Sequence, residues 1–307
     1  MEHKGGIPMS IVTARHPDYA TVRDWVEALT EKYPFLQKME SGRSSLGRSI
    51  PCLSLGQAQD KVLYVGGVHG SEWLTVLTLM RFMEELCEAI DTGRRVSNID
   101  VRNAMVGRGL VVIPCLNPDG TEIALRGAAG ALWNARQVSA LAKGDFSCWQ
   151  ANARGVDLNH NFDAGWEILH QMEMKEGIRG PAPRQYGGPA PHSEPESSWL
   201  VKLCRTYPFR HALAMHSQGE EIYWSYGENT PLRAKVMAGV LAASSGYQMS
   251  SPDGLASHGG FKDWFIEEFH RPAFTVEIGR GKNPLPLSDY PDVYDKMEEM
   301  LLLAALM

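Results

Sequence analysis

The residues best suited to chemistry stand in the run Gly66-Gly67-Val68-His69-Gly70-Ser71-Glu72-Trp73. A histidine and a glutamate separated by two residues approach one ion from a turn or from the first turn of a helix. Imidazole and carboxylate are ligands of catalytic zinc, which keeps one position open for water. Alone, the pair is as readily a surface cap on the helix that follows. Two further features change the balance. Ala214-Met215-His216-Ser217 sets a histidine directly after an apolar, strand-like run, and Thr275-Val276-Glu277-Ile278-Gly279 sets a carboxylate inside or at the end of another. A buried carboxylate is costly unless it is paired, protonated or beside a metal. A satisfied core histidine or a structural carboxylate explains each singly. Three strand ends, each offering a ligand or a base, are poorly explained by coincidence.

Those side chains need elements to carry them. Val62-Leu63-Tyr64-Val65 has the composition of a buried strand, closed by Gly66-Gly67. Val76, Leu79, Met80, Met83, Leu86, Cys87 and Ile90 then repeat at helical spacing. Tyr19, Val22, Trp25, Val26 and Leu29 predict an earlier helix over 17–31. Further strands are predicted at 51–55, 110–114, 212–215 and 273–276, and a closing helix over 293–307. Asn117-Pro118-Asp119-Gly120 reads as a turn, and 120–192, rich in Gly, Pro, Asn and Trp, as long site-forming loops. Ser193-Glu194-Pro195-Glu196 reads as a capping box opening a helix. Strands alternating with helices argue for one α/β domain over 1–307, with 1–12 a loose extension. In such sheets chemistry gathers where strands end.

Composition narrows the classes. The 307 residues, 44% hydrophobic and 21% charged, suffice for a sizeable core, and a net charge of −6 lacks the basic footprint of a nucleic-acid binder. No apolar run reaches the roughly 20 residues that cross a bilayer. Met1-Glu2-His3-Lys4-Gly5-Gly6 has no apolar leader, which reads as a cytoplasmic protein. Five scattered cysteines without a C-x-x-C pair argue against a disulfide framework.

The order of motifs resembles the zinc metallocarboxypeptidase family. It runs from His69 and Glu72 through Gly155-Val156-Asp157-Leu158-Asn159-His160-Asn161 to His216-Ser217 and Glu277-Ile278-Gly279. Gly42-Arg43-Ser44 with Gly47-Arg48-Ser49-Ile50 is similar to the family's early hairpin, and Asn117-Pro118-Asp119-Gly120, Leu132-Trp133, Asp163-Ala164-Gly165 and Gly259-Gly260-Phe261-Lys262-Asp263-Trp264 follow in family order. The resemblance implies a mixed, twisted sheet of about eight strands flanked by helices. Glu277-Ile278-Gly279-Arg280-Gly281-Lys282-Asn283-Pro284-Leu285-Pro286 and Trp149-Gln150-Ala151-Asn152-Ala153-Arg154-Gly155 look like bacterial members that cut cell-wall peptides between γ-D-glutamate and a diamino acid.

The resemblance also implies roles. His69, Glu72 and His216 become the ligands of one zinc ion per chain, Glu277 the general base, and Asp157 the carboxylate that holds the other nitrogen of His69. An arginine follows the Leu-Trp pair in relatives; here Asn134 stands there, so Arg136 is the expected oxyanion donor, with Arg154 as the alternative. Asn159 and His160 fall where digestive relatives carry an Asn-Arg pair that clamps a C-terminal carboxylate. Imidazole cannot reproduce the guanidinium fork, which weakens the case for plain C-terminal trimming. Lys262 matches the floor of the specificity pocket, where a lysine favours a carboxylate. Lys262 and Arg280 together could read the far end of diaminopimelate. His258, beside Gly259-Gly260, adjoins that pocket, and the other histidines, His3 among them, are assigned no role. The reading is a zinc peptidase acting on the γ-D-glutamyl-meso-diaminopimelate bond of murein peptides. The alternatives are a metallocarboxypeptidase releasing a C-terminal residue, an acidic one if Lys262 reads it, or a catalytically silent binding relative.

Overall fold

The computed structural model describes residues 10–307, and its centre is one mixed sheet of eight strands. These are β1 (Gln37–Lys38), β2 (Leu53–Gly56), β3 (Val62–Val65), β4 (Gly109–Ile113), β5 (Ala212–His216), β6 (Glu221–Tyr223), β7 (Gln248–Ser250) and β8 (Ala273–Glu277). Their spatial order is β1-β2-β4-β3-β5-β8-β6-β7. The inner four, β4-β3-β5-β8, run parallel. β2 lies antiparallel to β1 and β4, and β6 antiparallel to β8. All residues of β3, β4 and β5 are buried, which is why they read as continuous apolar runs rather than alternating ones.

Helices cover both faces. α1 (Tyr19–Lys32) begins where the Asp18 carboxylate accepts the Thr21 amide, so the predicted helix starts two residues late. α2 (Leu74–Thr92) carries the apolar repeat that follows β3 and packs into one core with α1 and the closing helix. Asn117 opens a helix rather than a turn. Its Oδ1 accepts the Gly120 amide at 2.8 Å and Pro118 takes the first helical position of α3 (Pro118–Arg126). Asx capping and Pro at a helix start share their residue types with turns, which is why the two are confused.

The region expected as loops, 120–192, also holds a 3-10 segment (Gly127–Asn134), α4 (Ala135–Ala142) and α5 (Trp166–Lys175). Only Val138 and Ala142 of α4, and Leu169 and Glu173 of α5, are buried, so neither helix prints a full apolar face on the sequence. α6 (Pro195–Thr206) follows without its capping box. The Glu196 carboxylate instead accepts the Ser45 amide at 2.8 Å, across 151 residues.

α7 (Leu232–Ser245) and α8 (Phe261–Phe269) escape the sequence pattern. α7 leaves Leu232 94% and Val236 69% exposed, and it buries small residues such as Ala234 and Ala238, which blurs its period. α9 (Tyr290–Leu306) closes the chain and begins three residues earlier than expected. Its final carbonyls are taken by side chains from the sheet: the Tyr64 hydroxyl donates to Leu301 O at 2.6 Å, His211 Nε2 reaches Ala304 O at 2.9 Å and Arg108 Nε reaches Leu306 O at 2.8 Å.

The extension expected over 1–12 is not loose where it is described. Glu84 of α2 accepts from the Ser10 hydroxyl and from the amides of Ile11 and Val12, and Val12 is buried. The earlier part, with His3, lies outside the described residues. Among the described residues no helix is long and apolar enough to cross a membrane.

The early hairpin forms as expected, Gly42–Arg43 against Ser49–Ile50. Its tip reaches a buried carboxylate cluster. Arg48 Nη1 meets Asp119 Oδ1 at 2.7 Å and Arg48 Nη2 donates to Gly130 O, while Asn152 Nδ2 donates to Glu194 at 2.8 Å. Burial pushes Glu196, in the same cluster, up to about 8.

Candidate metal centre

Three strand ends meet at one edge of the sheet. β3 stops at Val65 and the chain turns through Gly66-Gly67 into α2. Gly67 has φ +55, and a Cβ there would sit 2.9 Å from Cys115 Sγ. Gly70 is tighter still, since its Cβ would lie 2.3 Å from the Gly120 carbonyl oxygen. Only glycines let this turn pack against α3. Thr75 locks it, accepting the Gly67 amide at 2.9 Å and donating to Glu72 O at 2.7 Å. His69 and Glu72 therefore project from a fixed turn. Across the sheet, His216 ends β5 and Glu277 ends β8, in register with each other.

The four side chains converge. His69 Nδ1 lies 2.9 Å from Glu72 Oε1 and His216 Nδ1 3.1 Å from Glu72 Oε2, while the two Nδ1 atoms are 3.3 Å apart. One ligand atom from each residue lies within 4.8 Å of the other two. The outer nitrogen of His69, Nε2, meets Asp157 Oδ1 at 3.1 Å. Asp157 is itself buried and accepts the amides of Asn159 and Gln185. Burial alone would raise Asp157, but the neighbouring His69 and His160 hold it well below the usual carboxylate range. Glu277 behaves oppositely: burial and the Glu72 carboxylate push it well above that range.

This donor set fits a zinc ion. Two imidazole Nδ1 atoms and one carboxylate converge, one imidazole has its tautomer fixed by an outer carboxylate, and a second carboxylate stands alongside. Two ring nitrogens facing each other at 3.3 Å satisfy each other poorly, because a hydrogen bond between them needs one donor and one acceptor. A cation accepting both lone pairs resolves this and offsets the acidic surplus.

The substrate-side residues are placed more variously. Asn159 Oδ1 accepts the Phe261 amide at the start of α8, tying it to the helix that carries Lys262. Lys262 is only 3% exposed; its Nζ donates to Ser225 O at 2.8 Å and pairs with Asp263. His160 is also buried, its Nδ1 3.0 Å from Gln185 O and 3.3 Å from the carboxylate of Glu173. Burial opposes its charge, yet Asp157 and Glu173 outweigh that and raise it. His258 Nδ1 meets the Tyr226 hydroxyl at 3.0 Å.

The arginines are more exposed. Arg154, with 52% of its side chain exposed, lies 3.5 Å from Glu194 Oε2, and Arg280, 73% exposed, lies 2.7 Å from Glu220 Oε2. Arg136 stands on the exposed side of α4, and Asn134 just before that helix donates to Ala153 O. Two residues at the centre had no role in the sequence reading. Glu173 backs His160 from a helix hidden in apparent loop. Asn283, inside a motif already noted, reaches Ser217 and Glu72.

Comparison with known proteins agrees with this geometry. The family model described as zinc carboxypeptidase matches residues 22–297. Gamma-D-glutamyl-L-diamino acid endopeptidase 1 of Lysinibacillus sphaericus is 34% identical over 281 residues, covering 91% of this chain and 69% of that protein. The uncharacterized protein YqgT of Bacillus subtilis (strain 168) is 31% identical over 92% of this chain and 76% of its own length. Among solved structures, thrombin activatable fibrinolysis inhibitor superposes with a TM-score of 0.72 at 18% identity, over 97% of this chain and 76% of that one, a likeness of fold. The chain belongs to the zinc carboxypeptidase family and is a zinc metallopeptidase.

Proposed function

We propose that this peptidase hydrolyses the γ-D-glutamyl-meso-diaminopimelate bond of murein peptides, with one zinc per chain held by His69, Glu72 and His216. The observation that carries the chemistry is the β5–β8 register, which sets the Glu277 carboxylate beside His216 at the end of adjacent parallel strands. Zinc held there supplies a Lewis acid for the scissile carbonyl and lowers the pKa of water. Glu277 takes a proton from the attacking water and delivers it to the leaving amine nitrogen. Asp157 keeps His69 in one tautomer, with the Nδ1 lone pair directed inward. Arg136 donates to the developing oxyanion, or Arg154 does so by leaving Glu194.

Support for the murein substrate comes from two directions. The endopeptidase relative is named for this bond type. Lys262, buried in the helix that Asn159 anchors, has an ammonium with three donors, two of them engaged by Ser225 O and Asp263. In this reading the third serves the distal carboxylate of a diaminopimelate side chain, and Arg280 is its second cation. A second reading, release of an ordinary C-terminal residue, rests on His160, which stands where the resemblance puts the carboxylate clamp and whose pKa Asp157 and Glu173 raise.

Product masses separate the two. Zinc-loaded protein is incubated with L-Ala-γ-D-Glu-meso-diaminopimelate, its lysine analogue and C-terminal reporter peptides. Free diaminopimelate from the first, with Lys262→Ala erasing the preference over the lysine analogue, is the expected result. Cleavage of the reporters alone overturns the murein reading.

A further inference from the structure

We infer that Asn283 is a positioning residue for the metal-binding carboxylate, bridging Glu72 to the chain segment that follows His216. The inference rests on the zinc reading above. Both ends of the loop after β8 are pinned. Ile278 and Leu285 are buried, the Tyr247 hydroxyl accepts the Gly279 amide at 3.2 Å, and Gly219 N donates to Gly279 O at 2.9 Å. Between these anchors the Asn283 side chain turns toward the site. Its Oδ1 accepts the Ser217 hydroxyl at 2.7 Å, while its Nδ2 donates to the Ser217 carbonyl and lies 3.4 Å from Glu72 Oε1. An amide nitrogen has two hydrogens, so both acceptors can be served at once.

Among the described residues the Glu72 carboxylate meets three side chains: His69 Nδ1, His216 Nδ1 and Asn283 Nδ2. An imidazole nitrogen that gives its lone pair to a cation has no proton to donate. Once both histidines serve a metal, Asn283 is the donor that remains to fix the Glu72 carboxylate. Through Ser217, the same amide ties that carboxylate to the strand end bearing His216. His69 has its own anchor in Asp157, whereas the outer nitrogen of His216 has no hydrogen-bond partner among the described residues.

The test compares purified wild type, Asn283→Ala and Ser217→Ala in zinc affinity, by competition with a chromogenic chelator, and in apoprotein melting temperature. Asn283→Ala is expected to bind zinc about 10- to 100-fold more weakly, with the apoprotein melting as wild type does. Ser217→Ala, which leaves Nδ2 facing Glu72, is expected to lose less than about tenfold. The visible absorption of cobalt-loaded protein, which reads ligand geometry, should change in Asn283→Ala. Unchanged zinc affinity and an unchanged cobalt spectrum in Asn283→Ala overturn the inference while leaving the zinc reading intact. Failure of the wild type itself to bind zinc sinks that reading, and the inference with it. If the alanine variant does not fold, Asn283→Leu, which keeps the volume but neither donor nor acceptor, decides in the same way.

Discussion

Two clusters of buried carboxylates lie within this molecule, and they are balanced differently. Around Asp119, the hairpin supplies a guanidinium from Arg48, the Ser45 hydroxyl and the Leu46 amide, and the Ser45 amide goes to Glu196, on which burial keeps a proton at neutral pH. That cluster carries its own cation and its own proton. Around Glu72, two imidazoles face each other and three carboxylates gather, and among the described residues their close partners include no arginine or lysine. The first cluster is complete as folded and joins the hairpin to α3 and α6. The second has two imidazoles and a carboxylate with ligand atoms within 4.8 Å of one another, a set suited to a metal cation. Buried acidity alone therefore says little about function. What separates the two is the kind of balancing group: a fixed guanidinium in the clasp, and in the other cluster imidazoles that can instead give their lone pairs to a metal.

The comparison breaks first at Glu277. Glu277→Gln should lower hydrolysis by about 10²- to 10⁴-fold while zinc still binds, measured as kcat on the murein tripeptide alongside chelator competition. Retained activity would remove Glu277 from the chemistry. The next largest effect is expected at the clasp. Arg48→Met leaves Asp119 buried without its cation and should cost about 3–5 kcal/mol in urea unfolding, yet leave zinc affinity unchanged. A loss of zinc binding in the folded variant would show that the clusters are coupled. The smallest concerns the proton on Glu196. Below pH 4.5 both folded and unfolded chains hold it; between 4.5 and about 8 only the folded chain does, so stability falls as pH rises through that window. The slope should reach at most about 1.4 kcal/mol per pH unit, and Glu196→Gln should flatten it.

The metal corner was legible in the sequence because each part is local. His69 and Glu72 share one turn, and His216 and Glu277 each close a continuous apolar strand, so pattern and chemistry coincide. The parallel inner strands were legible for the same reason. The clasp was not. Glu196 reads as the end of a capping box until a partner 151 residues away claims its carboxylate. Asn283 lies in a motif noted only for its resemblance to bacterial members of the family, and its contact with Glu72 spans 211 residues. α4 and α5 were hidden because each buries only a narrow strip against other loops. Spacing reports what an element does to its neighbours in sequence. It is silent on side chains whose partners are brought by the sheet.

The Tyr64 hydroxyl on β3 finds its acceptor on Leu301 of α9, 237 residues later, and His211 just before β5 finds its own on Ala304. Without α9 those donors lose their acceptors and the apolar surface beneath the helix is opened to water. β3 and β5 are the strands that carry His69 and His216 to the site. The same helix that covers the sheet therefore also backs the two strands that lead to His69 and His216, and trimming it would loosen that corner together with the core.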